Sequence, residues 1–561
     1  MTQAAKEGLS EQAAQSTVAL NPIVGVNREE LLRALGLVAV EAVRQPLLFT
    51  KHAGAYGADL VNILRGQSKY TPDPKDKRFA DKFWAESAIY RRGMQSFLAL
   101  KKNVMNWVDD IEFSPTDRTR AAFVLDILTD AVAPTNSLIG NPLALKKAYD
   151  TRGQSIVKGL RNLYSDWTTN GGMPAQVDKR PFKVGKNLAT TEGQVVYRTA
   201  MLELLQFKAT TETVYEKPLL VVPPQINKYY ASDLTPDKSL FRFMLSKGIQ
   251  LFAISWRNPG KQQADWGLAN YVEEIVKASE VVMKITKQKS LNVSGACSGG
   301  ITLATMLSLL ASRKDKRINS VTFQVCVLDP HTDDSDIGAF VSPRTIQFAR
   351  ERSRKSGVLT GQDLSRTFAW LRPNDLIWNY VINNYLLGED PPPFDILYWN
   401  NDSTNLPAQL HSDYLDMYEK QPMSHPGTVD FLGHKLDMSK VTHDTFIVGG
   451  VTDHITPWRA VYRTTQLLGS KNIDFILSSS GHIQSLINPP GNPKSRYFTN
   501  KALPPTPEEW VQGASETKGS WWNLWAEWLH ARSGKQKPAP KKLGAAKYEP
   551  LGPAPGTYVH G

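Results

Sequence analysis

Cysteine is nearly absent: Cys297 and Cys326 are the two in 561 residues. Two thiols cannot build a disulfide framework, which excludes the stapled folds of small secreted proteins and fits a reducing cytoplasm. In that compartment the sequons Asn292-Val-Ser and Asn401-Asp-Ser are chance matches. No stretch of about eighteen uncharged apolar residues occurs, so no transmembrane helix is expected. The opening residues, MTQAAKEGLSEQAAQSTVALNP, lack the apolar core of a signal peptide, and a cytoplasmic chain is expected. Zinc-ligand Cys/His spacing, an RNP signature, a Walker A loop and internal repeats are all missing. Neither a metal, another cofactor nor a nucleic-acid partner is therefore expected.

Acidic residues are outnumbered, 54 Asp+Glu against 66 Lys+Arg, for a formal charge of +12. Lys535, Lys537, Lys541 and Lys542 cluster near the end. They read first as a solvated basic tail and second as a device steering a polyanionic substrate. Hydrophobic residues make up 41%, a globular composition.

The texture of the chain changes along its length. Residues 1–27 read as a flexible polar leader and 28–205 as a mainly helical domain, with Arg118 to Ala131 a representative amphipathic segment. From about 206 to 535, short β-rich runs alternate with helical stretches, the rhythm of a parallel α/β sheet. Six core strands are predicted: Leu219–Val222, Gln250–Ser255, Leu291–Ser294, Val321–Leu328, Thr445–Gly449 and Asp474–Ser478. The segment of about 331–440 between the fourth and fifth is too long for a connection and is expected to be an inserted cap subdomain. Trp521, Trp525 and Trp528 share a helical face with Trp522 beside them, a pattern that predicts core packing more than a ligand box. Residues 536–561, rich in Pro, Gly and Lys, are expected as an extended tail.

The third strand runs into Gly295-Ala-Cys-Ser-Gly299, followed by a helical run from Ile301 to Ala311. Strand, tight turn and helix around Gly-x-Cys-x-Gly is a nucleophile elbow with a thiol in place of the hydroxyl. Small neighbours let helix and strand approach closely, and the helix N-terminus favours a thiolate. A buried Cys is ordinarily a small hydrophobe, and only the flanking pattern sets Cys297 apart.

A nucleophile needs a base and an orienting acid. Asp453 lies in the loop after the fifth strand, and His482 follows the sixth after a Gly. The order Cys, Asp, His is that of the α/β-hydrolase fold. His454 beside Asp453, His331 after the fourth strand and the alternative acid Asp329 are the rivals among the titratable residues. The loop after the first strand, Val221 to Tyr230, should supply one oxyanion donor and the residue after the nucleophile the other. Pro223 and Pro224 cannot donate, which leaves the backbone N–H groups of Ser298 and of Gln225 or Ile226, with Ile226 preferred. A thioester on Cys297 lies close in free energy to an acyl-CoA thioester and stays activated toward an alcohol. That suits ester-forming acyl transfer better than hydrolysis.

These residues also carry a resemblance. Gly-Ala-Cys-Ser-Gly-Gly, Pro-Pro-Gln-Ile-Asn-Lys-Tyr-Tyr, Ser-Trp-Arg-Asn-Pro at 255–259, the run from Arg372 to Tyr380, Asp-His-Ile-Thr-Pro-Trp at 453–458, Ser-Gly-His-Ile-Gln-Ser at 480–485 and Asn-Pro-Pro-Gly-Asn-Pro at 488–493 together resemble the polyhydroxyalkanoate synthases, from about residue 20 to the end. The elbow box, Gln225 after the double proline and the closing Ala-Pro-Gly-Thr-Tyr-Val-His are similar to the class II, medium-chain enzymes. The resemblance implies an α/β-hydrolase catalytic domain preceded by a helical one, with Cys297, Asp453 and His482 as the triad. It implies (R)-3-hydroxyacyl-CoA as substrate, CoA and polyester as products, no metal, a homodimer, and attachment to cytoplasmic polyester granules, where granule-associated proteins are possible partners. A mobile cap would cover the site, and His454, Gln484, Cys326, Trp378 and Tyr380 are expected to line it. Cys326 stands where relatives tend to carry Ser. The rival expectations are a cysteine hydrolase or depolymerase of the same fold, which would release free acid, and a non-catalytic granule scaffold, which would need no triad.

Overall fold

The computed structural model describes residues 28–74, 76–331, 341–371 and 373–561; the leader expected over 1–27 lies outside them. The helical region begins at Arg28 and ends at Thr169, its longest helix being Ala88–Asp110. Local signals set its breaks. Ser114 caps Pro115–Ala131 by accepting the Asp117 N–H, Asn141 caps Pro142–Asp150, and Pro in each first turn has no N–H to leave unpaired.

Among the described residues the core is one mixed sheet of 11 strands. In chain order these are β1 (Gly193–Arg198), β2 (Leu202–Phe207), β3 (Leu219–Val222), β4 (Leu251–Trp256), β5 (Leu291–Ala296), β6 (Ile318–Gln324), β7 (Asp444–Gly450), β8 (Ile473–Ser478), β9 (Arg496–Thr499), β10 (Ser515–Lys518) and β11 (Gly552–Pro553). Their order across the sheet is β10-β9-β8-β7-β6-β5-β3-β4-β2-β1-β11. The central six pair in parallel, and antiparallel strands close both sides. Strands β3 and β5 are buried at every position, so they read as continuous apolar or small-residue runs and not as alternation.

Three boundaries differ from the sequence reading. Strands β1 and β2 lie at or before the expected edge of the helical domain at 205, yet they belong to the catalytic sheet. The fourth predicted strand, Val321–Leu328, ends at Gln324: Val325 turns to φ +44°, and Val325 to Leu328 stay buried as a loop. The tail 536–561 is extended in backbone but pinned. Gln536–Pro538 pairs with Thr213–Tyr215, and β11 pairs with β1. The buried Glu203 carboxylate accepts from Thr557 N, Thr557 Oγ1 and Tyr558 N at 2.8, 2.8 and 3.0 Å. The tryptophans of the helix Trp521–His530 are core, with Trp521 and Trp525 fully buried.

The residues inserted between β6 and β7 fold into helices that bridge the sheet and the N-terminal region. Asp413 of the helix Ala408–Lys420 accepts the Leu268 N–H at the start of the helix Leu268–Thr286. On the other side the helix Gln154–Thr169 lies against the π-helical turn Val381–Leu386 so closely that a Cβ at Gly159 would stand 1.9 Å from the Tyr385 carbonyl oxygen. Asn162 donates from there to the Asn384 and Glu389 carbonyls.

Candidate active site

Strand β5 delivers Cys297 at the centre of the sheet, and the helix Ser298–Ser312 leaves directly from it. Cys297 has φ +50° and ψ −126°, a region that L-residues rarely occupy. The turn holds because its neighbours have no side chains to clash. A Cβ on Gly299 would meet the Pro223 and Val222 carbonyl oxygens at 2.5 Å, and one on Gly300 would meet Cys326 Sγ at 2.5 Å. The elbow helix is thereby pressed against the end of β3 and the loop after β6.

His482 opens a short helix directly after Gly481, and its Nδ1 lies 2.8 Å from Asp453 Oδ2.

 The helix runs from His482 to Leu486 and follows β8, as Asp453 follows β7. Both side chains are buried. Asp453 is fully engaged: Oδ1 accepts the Ile455 and Thr456 N–H groups at 2.9 and 3.0 Å, and Oδ2 accepts Thr456 Oγ1 at 2.6 Å beside His482. Burial pushes its carboxyl up, but the imidazole and these hydrogen bonds outweigh that and hold it below the usual carboxylate range. Burial likewise pulls the imidazole down, but the Asp453 carboxylate, with a smaller push from the Cys297 thiol, raises it to about 10. Asp453 and His482 thus form a buried hydrogen-bonded pair, and the Cys297 thiol adds to the upward push on the imidazole.

The loop and helix turn expected to supply oxyanion donors are equally ordered. Ser298 is the first residue of its helix, so its N–H is one of those left without a partner inside it. The Gln225 N–H is spent on Ser298 Oγ at 3.3 Å. Ile226, one residue on, is buried in the same loop.

Of the residues expected to line the site, Cys326 lies under the elbow, buried against Gly300, and burial pushes its thiol up. His454 and Gln484 are half-buried beside Asp453 and His482. Trp378 and Tyr380 pack with Val177, Leu376, Ile377 and Leu397 in a satellite core of the inserted segment. Their apolar bulk joins that segment to the chain before the sheet. The rival acid Asp329 is committed to His331 and Arg463 at 3.1 and 3.4 Å. The sequence reading missed Thr456, which touches both acid and base, and Thr302, Thr404 and Tyr414, which surround Gln225. Thr456 had a local signal, an Asp-x-x-Thr spacing ahead of Pro457; Tyr414 had none.

Comparison with known proteins bears on this geometry. Residues 75–244 match the family described as the N-terminus of poly-beta-hydroxybutyrate polymerase (PhaC), and residues 204–489 match the alpha/beta hydrolase fold. The chain is 46% identical to poly(3-hydroxyalkanoate) polymerase 1 of Ectopseudomonas oleovorans over 552 residues, 98% of each chain. It is 39% identical to the poly(3-hydroxyalkanoate) polymerase subunit PhaC of Cupriavidus necator, covering 89% of this chain and 85% of that one. Among solved structures, a monoglyceride lipase of Saccharomyces cerevisiae aligns with a TM-score of 0.37 at 12% identity, over 63% of this chain and 99% of that one.

Proposed function

Because the chain belongs to the poly(3-hydroxyalkanoate) polymerase family and is an acyltransferase with an α/β-hydrolase fold, we propose that it builds polyester from (R)-3-hydroxyacyl-CoA of medium chain length through an acyl-cysteine on Cys297. The observation that carries this reading is an elbow whose nucleophile is the thiol of Cys297, together with the buried hydrogen-bonded pair His482–Asp453.

His482 takes the proton of Cys297, and the sulfur attacks the thioester carbonyl. The negative oxygen of the tetrahedral species is held by the N–H groups of Ser298 and Ile226. The commitment of the Gln225 N–H to Ser298 Oγ favours Ile226 as the second donor. Collapse breaks the bond to the CoA sulfur, and His482 returns the proton to the leaving thiolate. The 3-hydroxyl of the next acyl group then attacks the cysteine thioester, an ester bond forms, and the Cys297 sulfur is released. His482 removes the hydroxyl proton, a role that Asp453 is poorly placed to share because both its oxygens already accept internal hydrogen bonds. The thiol suits the chain-extending step, since its acyl group remains activated toward an alcohol.

The inserted segment acts in this reading as a lid that excludes water from the acyl-cysteine. The N-terminal helices meet the granule. On the helix Gln154–Thr169, Val157, Leu160, Tyr164 and Trp167 are 60–73% exposed and recur at three- and four-residue intervals on one face, the opposite side being packed on the inserted segment. Such a stripe suits adsorption to an apolar polymer. Among the described residues no helix is long and apolar enough to cross a membrane. A homodimer is the proposed active form, checked by specific activity across a dilution series. The test of the function itself is purified protein with (R)-3-hydroxyacyl-CoA: release of CoA with precipitation of polyester supports it, and release of CoA with free 3-hydroxy acid alone identifies a hydrolase instead.

A further inference from the structure

Gln225 sits at the meeting point of three parts of the chain that have no sequence proximity. Its side-chain Nε2 donates to Thr302 Oγ1 at 3.0 Å, and Thr302 in turn donates to the Ser298 carbonyl at 3.2 Å. Its Oε1 accepts from Tyr414 OH at 2.8 Å, and its backbone carbonyl accepts from Thr404 Oγ1 at 2.5 Å. Tyr414 and Thr404 both come from the inserted segment, Tyr414 from the helix Ala408–Lys420. Gln225, Thr302, Thr404 and Tyr414 are all at least 95% buried. The bonds link the inserted segment to the first turn of the elbow helix through Gln225, and the Tyr414 hydroxyl also reaches that turn directly, 3.2 Å from Thr302 Oγ1 and 3.4 Å from the Ser298 carbonyl oxygen. Burial pushes the Tyr414 phenol up, so its hydroxyl keeps its proton at neutral pH.

The two proposed oxyanion donors adjoin this network, Ser298 on the elbow and Ile226 next to Gln225. We infer that Tyr414 and Thr404 are positioning residues that hold the Gln225–Ile226 loop against the elbow, so that the inserted segment sets the oxyanion geometry as well as covering the site. A loop misplaced by about 1 Å loses roughly 10²-fold in rate, whereas the Cys297–His482 pair does not pass through Gln225 at all. The inference rests on the acyl-transfer reading, and its test separates the two.

The variants are Tyr414→Phe, which keeps the buried ring and deletes only the hydroxyl, and Thr404→Val, which keeps the shape and deletes the other donor. Each is compared with the unaltered protein for CoA release from an (R)-3-hydroxyacyl-CoA and for alkylation of Cys297 by iodoacetamide. Alkylation needs the thiol and His482 but no oxyanion donor. The expected result is a kcat reduced tenfold or more in Tyr414→Phe and severalfold in Thr404→Val, with KM and the alkylation rate within twofold of the unaltered protein. An unchanged kcat in both variants overturns the inference. So does an alkylation rate that falls in parallel with kcat, which would make the two residues general supports of the elbow. Failure of the unaltered protein to release CoA would instead overturn the acyl-transfer reading itself.

Discussion

Replacing Gly299 by Ala tests how closely the elbow must approach the first strand of the parallel core. The added Cβ stands 2.5 Å from the Pro223 and Val222 carbonyl oxygens and 2.6 Å from the Pro223 carbonyl carbon. All are backbone atoms at the end of β3 and cannot swing aside. An ordinary contact of about 3.5 Å requires the elbow helix and the Pro223 loop to separate by about 1 Å. Overpacking of this kind costs about 1–3 kcal/mol of stability, so the chain still folds with a lowered Tm. The cost to catalysis is larger, because the gap opens between Ser298 and Ile226, and a shift of about 1 Å lowers turnover roughly 10²-fold. CoA release at saturating acyl-CoA measures the loss. Gly54→Ala is the control: that helical glycine has open space around it, so a methyl there leaves activity unchanged and adds up to about 1 kcal/mol of stability. If Gly299→Ala retained more than a third of the turnover, the close approach would not be what fixes the site.

Three further outcomes follow from the same geometry. Cys297→Ala abolishes turnover while Cys326→Ala keeps most of it at a stability loss of about 1 kcal/mol, since Cys326 only packs beneath Gly300; the reverse pattern in a CoA-release assay would reassign the nucleophile. His482 is raised to about 10 by Asp453, so the stability it contributes is fully present below its unfolded pKa, near 6.5, and is lost as pH rises through about 10; Tm between pH 7 and 10 should fall in the unaltered protein and fall less in Asp453→Asn, and equal slopes would contradict the pairing. Gly159→Ala drives a methyl to 1.9 Å from the Tyr385 carbonyl oxygen, so it should raise amide exchange in residues 154–169 and 381–386 together, and unchanged exchange there would mean that this contact does not latch the two segments.

The parallel core was legible because its strands are buried on both faces and therefore stand out as short apolar runs between turn residues. Leu219–Val222 is found with its predicted ends. The same signal overran at the fourth strand, where Val325 to Leu328 remain apolar because the loop they form is itself buried; periodicity cannot separate a buried loop from a buried strand. The edge strand Ser515–Lys518 was missed for the opposite reason: it is exposed at every position and carries no apolar pattern. Asp453 and His482 were readable from their places after successive strands, since the fold puts loops of that position at one end of the sheet. Gln225 was readable only as part of a loop. Its partners Thr302, Thr404 and Tyr414 are brought to it by long-range packing, 77, 179 and 189 residues away, and no local spacing announces such a meeting.

The central claim is that the growing acyl group is carried on Cys297. Purified protein is mixed with a saturated medium-chain (R)-3-hydroxyacyl-CoA, quenched in acid within the first turnovers, digested, and its peptides weighed. The account predicts a hydroxyacyl mass on the peptide containing Cys297, formed with an equivalent amount of CoA, and no such adduct in Cys297→Ala. CoA release at the full rate with Cys297 unmodified, or an adduct on Cys326 instead, would contradict it.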